Sequence, residues 1–202
     1  MKLRTLGILV LLIALSLATG CSKRTEVVRR DVGDAIDLSG EWNDVDSQMV
    51  AEVLVAKITA SPWVEDFRAE NGKKPYVIVG DIRNRTSEHI PVATFTSELE
   101  KYFINSGRVR VVASVDEREQ IRNERASQQE FASPETMKQW GREKGADYML
   151  LGEVNAIFDS ADGESVKYYQ VDCYLVDLED NVKVWMGDHK IKKTVSRGKF
   201  KG

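Results

Sequence analysis

Three stretches of alternating apolar residues stand close together near the C-terminus, separated by two turn signals, and they constrain the fold more than any other feature. They cover residues 147–158, 166–176 and 182–194. Asp162-Gly163 suits a tight hairpin turn between the first two, and Glu179-Asp180-Asn181 suits a second turn. In the middle stretch Tyr169, Val171, Cys173 and Leu175 share one face, because side chains alternate along a strand. A chain with this ending builds an antiparallel meander with one face to bury, and the preceding residues must cover that face.

Those residues read mainly as helices. Asp44 and Asp46 are both good N-caps, and Met49, Val50, Val53, Leu54 and Ile58 then recur at helical spacing. Pro62 stops this helix and starts a short helical turn with Trp63 and Phe67, ending by Gly72. Residues 75–82 contain the run Tyr76-Val77-Ile78-Val79, which predicts a buried strand, and Asn84-Arg85-Thr86-Ser87 leads out of it. A second helix follows Pro91, with Val92, Phe95, Leu99, Tyr102 and Phe103 on one face and Gly107 placed as its C′ residue.

Residues 109–113 form the next expected strand. Ser114 and Glu117 make a capping box that opens a charged helix with a thin apolar face. Ser133 as N-cap and Pro134 as the first helical residue predict a further helix, containing Met137 and Trp140 and closing at Gly145. The order α, β, α, β, α, α, β, β, β predicts one α+β domain, a mixed sheet flanked by helices and ending in the antiparallel meander.

The N-terminus has a different character. Lys2 and Arg4 precede an apolar run over residues 6–17 broken only by Gly7 and Ser16. A membrane-spanning helix needs about 20 apolar residues, so this run suits a secretory signal instead. Leu17-Ala18-Thr19-Gly20-Cys21 resembles a lipobox, although the leucine stands four residues before the cysteine. The expected organisation is a signal peptide over residues 1–20, a lipidated tether over 21–40 and a single globular domain over 41–202. Cys21 is expected to carry a diacylglycerol and an N-acyl chain. Each buried CH₂ contributes roughly 0.8 kcal/mol of membrane binding, so several chains anchor durably. Ser22 rather than Asp after the cysteine favours the outer membrane, with the domain facing the periplasm. Some 20 tether residues span at most roughly 65–70 Å.

Charge and cysteine content narrow the function classes. Without Lys2 and Arg4 the balance becomes 27 basic against 32 acidic residues, a net of −5, which argues against nucleic acid. The end of the chain is locally basic (Lys190, Lys192, Lys193, Arg197, Lys199, Lys201) and reads as a solvated edge strand and frayed terminus. With Cys21 lipidated, Cys173 has no disulfide partner and reads as a small buried hydrophobe. His89 and His189 have no second ligand at metal spacing, so no metal or cofactor is expected beyond the lipid. Acidic pairs such as Asp44/Asp46 and Asp159/Asp162 fit capping and turn roles better than acid–base chemistry. An enzyme is not expected.

Several segments carry a family resemblance. Asp37-Leu38-Ser39-Gly40-Glu41-Trp42-Asn43-Asp44-Val45-Asp46-Ser47, Val79-Gly80-Asp81-Ile82-Arg83-Asn84-Arg85-Thr86, Ile104-Asn105-Ser106-Gly107-Arg108-Val109-Arg110-Val111-Val112, Gly145-Ala146-Asp147-Tyr148-Met149-Leu150-Leu151-Gly152 and Lys183-Val184-Trp185 resemble the LpoB family. These are outer-membrane lipoproteins that activate penicillin-binding proteins. The strand exit, the Ser-Gly turn and the Gly-Ala-Asp-Tyr strand also occur in the curli-secretion lipoprotein CsgG and in TolB-like domains, so an assembly role of that kind is the alternative. The first segment tilts the choice toward LpoB. The resemblance implies a TolB N-terminal-domain-like or LpoB-like fold and a bifunctional class A penicillin-binding protein as partner. Well-studied members have long proline-rich tethers, whereas residues 21–40 are short and hold no proline. Arg83, Asn84 and Arg85 are candidate partner contacts because they sit at a strand exit. Asn84 also suits a role in holding the loop through its side chain. Trp42 is a candidate anchor, with a core position as the competing reading.

Overall fold

The computed structural model describes residues 28–29, 31, 37, 39–138, 143–161 and 164–196. The expected signal peptide, Cys21, most of the expected tether, Trp140, the expected turn at Asp162-Gly163 and the basic residues from Arg197 onward lie outside the described residues. The chain divides into two units, Met1–Asp34 and Ala35–Gly202, and every element below belongs to the second.

Helix α1 spans Asp44–Ala60. Its cap is Asn43, whose side chain accepts from the Asp46 amide while the Asp46 carboxylate accepts from the Asn43 amide. Asp44 and Asp46 therefore lie in the first turn, where a carboxylate suits the helix dipole. The buried face is Val50, Ala51, Leu54, Val55 and Ile58, and Met49 stays 40% exposed. This face is rotated from the expected one because Asp46 and Ser47 also point inward, meeting Lys193 and the Trp42 indole. Helix α2, Trp63–Asn71, follows Pro62 and closes at Gly72. Its Trp63 and Phe67 rings pack edge-on against Tyr148, with centroids 4.9 and 5.6 Å away.

Strand β1, Tyr76–Asn84, leads to helix α3, Val92–Ser106, which ends at Gly107 with φ 64° as its sequence predicts. Phe95, Leu99 and Phe103 of α3 are fully buried. Strand β2 is only Arg110–Val111, shorter than expected. The Arg108 carbonyl accepts from the Arg68 guanidinium before it, and the cap at Ser114 redirects the chain after it. Helix α4, Val115–Phe131, has the reciprocal Ser114/Glu117 capping box and no buried residue.

The helix expected from Ser133 does not form over residues 133–138 or 143–147. The Thr136 and Met137 amides both donate to the Ser133 carbonyl, making a single turn, and the Lys138 amide then bonds back to Gln128 of α4. A good cap nucleates a helix that still needs an apolar face to propagate it. These residues have only a half-buried Met137 to offer.

Strands β3, Tyr148–Ala161, β4, Glu164–Asp177, and β5, Lys183–Ser196, form the expected meander and run a few residues longer than predicted. Asn181 turns the second hairpin with φ 64°. The sheet order is β2-β1-β3-β4-β5. β1 runs parallel to β2 and β3, whereas β3, β4 and β5 are antiparallel. The fold is α+β with a mixed sheet. One face is apolar and buried: Val77, Val79 and Ile82 of β1, Leu150 and Val154 of β3, and Tyr169, Val171, Cys173 and Leu175 of β4. Val79 and Ile82 both reach it because the register shifts between them, and this bulge leaves Asp81 exposed. Full burial of each large apolar side chain contributes about 1.5–3 kcal/mol. The opposite face is mixed, with Tyr168, Gln170 and Asp172 hydrogen-bonded to one another along its surface. Among the described residues no helix is long and apolar enough to cross a membrane.

Candidate functional site

The candidate residues converge on one end of the domain, where the segment from Asp37 to Trp42 meets the loop after β1 and strands β4 and β5. Gly40 makes the approach possible. Its φ is +68°, and a Cβ there would lie 2.3 Å from Val195 Cγ2 of β5. The Gly40 amide donates to Asp37, and the Gly40 carbonyl accepts from the Tyr169 hydroxyl of β4.

Two half-buried lysines clamp this segment. Lys193 of β5 bonds Asp46 at 2.6 Å, Asp37 at 2.9 Å and the Glu41 carbonyl at 3.0 Å. Only 9% of its side chain is exposed, so this member of the basic tail is covered by the junction rather than part of a solvated edge. Lys167 of β4 bonds Glu88 at 2.8 Å. Glu88 also accepts from the Tyr169 hydroxyl at 2.6 Å and from the Trp42 amide at 3.3 Å.

The electrostatics follow from these contacts. Burial raises the Glu88 carboxyl, but the donors Lys167, Tyr169 and the Trp42 amide outweigh it and hold the group below its ordinary value. Burial and the Glu88 carboxylate push the Tyr169 phenol far above the usual range. Burial lowers Lys193, yet Asp46 and Asp37 overcome that and keep its pKa raised. Every carboxylate in the cluster faces one of the two lysines, so the arrangement ties segments together.

Trp42 belongs to the same junction. It is 8% exposed, stacks edge-on with Phe95 and Tyr169 at 6.0 and 5.6 Å, and donates from its indole to Ser47 at 2.8 Å. Its ring occupies the core. Asn84 organises the loop: its amide donates to the Glu88 carbonyl at 2.7 Å, and its oxygen accepts from the Thr86 amide and hydroxyl. Arg83 and Arg85 point outward and are exposed, and Arg85 lies 3.5 Å from Glu153. The structure thus brings all four residues to one end, two inside it and two on its surface.

Sequence reading missed Glu88 and Lys167. Both are ordinary charged residues whose partners lie 79 positions apart, so no local spacing marks them. Cys173 is fully buried, and burial with nearby Asp172 pushes its thiol up to about 12, which suits the packing role read for it. No group of three or more metal-binding side chains occurs among the described residues.

The model of the family described as peptidoglycan-synthase activator LpoB matches residues 46–191, most of the chain. The match begins inside α1, so it excludes Gly40 and Trp42 and includes the loop after β1. Among solved structures, the LpoB C-terminal domain from Escherichia coli is 16% identical with a TM-score of 0.44, covering 73% of this chain and 99% of that one. The corresponding domain from Salmonella enterica is 18% identical with a TM-score of 0.38, covering 75% and 99%. Lipoprotein GNA1162 from Neisseria meningitidis is 17% identical with a TM-score of 0.38, covering 59% and 83%. No curated protein sequence matches the chain. Membership rests on the family match.

Proposed function

The chain belongs to the LpoB family, and from that premise we propose that it binds and activates a bifunctional class A penicillin-binding protein, stimulating peptidoglycan synthesis. The observation that carries this reading is the family match across the folded domain. In physical terms the activity is binding. A protein that favours one conformation of the synthase shifts its population toward that state, by as much as its affinities for the two states differ. Exposed Arg83 and Arg85 are proposed partner contacts, held in place by Asn84 and Glu88 behind them. An acylated Cys21 anchors the domain to the outer membrane on its periplasmic side. The clamp joins the segment after the tether, through Glu88, to the strand end and loop that carry the two arginines.

The test uses full-length protein in detergent as bait for solubilised envelopes. Retention of a class A penicillin-binding protein, reduced by Arg83→Ala with Arg85→Ala, supports the reading. Failure to retain any synthase contradicts it. In parallel, Cys21→Ala should release the protein from the membrane fraction.

A further inference from the structure

Past Val77, β1 loses its neighbour on one side. β2 pairs only with Tyr76 and Val77, so Val79 to Arg83 present a strand edge that meets no other strand among the described residues. Exposed edges of this kind are templates for an added strand. This one opens into a groove of roughly 750 Å³ between α3 and the start of α4. Ile78, Met149 and Leu151 form an apolar floor, and Ala93, Thr96 and Ser97 form the α3 wall.

The charged residues that line the groove are all acidic, with Arg83 beyond them at the end of the edge. Asp81, Glu100, Asp116 and Glu117 line it, with no lysine or arginine among the lining residues. Burial, and after it the nearby Glu117, raise the Glu100 carboxyl above its ordinary value. The start of α4 carries the partial positive charge of a helix N-terminus. Asp116 and Glu117 in its first turn answer that charge, and Glu117 accepts from the Ser114 amide.

We propose that this groove binds an extended, cationic segment of a partner protein, added as a strand along the free edge of β1. Main-chain hydrogen bonds to the edge supply affinity, and alternate side chains of the added segment meet the apolar floor. The carboxylates select lysine or arginine at the positions between. At ~3.3 Å per residue the edge accommodates about five residues.

The probe is a fluorescent six-residue peptide alternating lysine and valine, titrated by anisotropy into the full chain in detergent at low salt. A matched peptide with glutamate in place of lysine is the control. The lysine peptide should bind at least tenfold more tightly, and hydrogen exchange should show new protection at Val79 and Ile82, whose amides face away from β3. Ala93→Arg with Ser97→Arg, both at exposed positions of α3, should weaken binding at least tenfold. Asp81→Lys, at an exposed position of the strand edge, provides a second variant should the first fail to fold. The proposal is overturned by equal binding of the two peptides, by binding that neither folded variant weakens, or by unchanged exchange along β1. It is equally overturned if the groove is filled by a second copy, seen as self-association that the variants abolish.

Discussion

Helices α1 and α4 each have 17 residues, and each opens with a reciprocal capping box. Their fates differ completely. α1 places Val50, Leu54 and Ile58 at the centre of the core, and α4 buries nothing. The surface helix is tied down instead by Arg122 and Arg125, which share Glu143 at 2.9 and 3.1 Å. The capping box decides where a helix begins, and the spacing of apolar residues behind it decides what the helix is for. α1 builds the floor of the clamped junction, while α4 leaves its first turn to form one wall of a groove.

The largest effect that separates the two belongs to Leu54→Ala in α1. It should cost about 2–5 kcal/mol of stability, because a fully buried leucine leaves a cavity. Chemical denaturation of the full chain in detergent measures it. A smaller loss would mean that α1 is no more essential to the core than α4.

Gly40→Ala comes next, at about 1–3 kcal/mol, since it forces a left-handed backbone on alanine and drives a methyl into Val195. Hydrogen exchange should rise first between Asp37 and Trp42. An unchanged pattern would show that the clamp does not depend on this approach.

Acid should loosen the same junction. The Glu88 carboxyl is held below its ordinary value of 4.5, so its contribution is present above that pH and is lost as pH falls through the lowered value. Glu88→Gln should reduce stability at neutral pH and flatten the acid limb of the profile below about pH 4.5. A steep limb retained in the variant would assign the acid sensitivity to other carboxylates. The smallest effect is expected for Ile121→Ala in α4, within about 0.5 kcal/mol, because the side chain is already 41% exposed. A loss comparable to that of Leu54→Ala would erase the contrast between the helices.

Much of this architecture was legible in local signals. The capping box at Ser114, the helix end by Gly72, the C′ glycine at 107, and the alternation of Tyr169, Val171, Cys173 and Leu175 all act over a few residues, and all appear as read. The rotated face of α1 was not legible, because Asp46, besides closing the capping box, turns inward to meet Lys193, 147 positions away. The same holds for Glu88 and Lys167. The helix expected from Ser133 misled for the opposite reason, a local cap that closes only a single turn over residues 133–137. At the candidate site, the strand exit was visible and its division of labour was not. Only the packing separates Arg83 and Arg85 on the surface from Trp42 and Asn84 behind them.

The most direct test of the central claim is the rate of glycan polymerisation by a purified bifunctional class A penicillin-binding protein, measured with and without the full-length protein in detergent. The account predicts a saturable rise in rate that Arg83→Ala with Arg85→Ala reduces while Ile121→Ala does not. A rate that stays flat across a concentration range where the two proteins are shown to bind would contradict it.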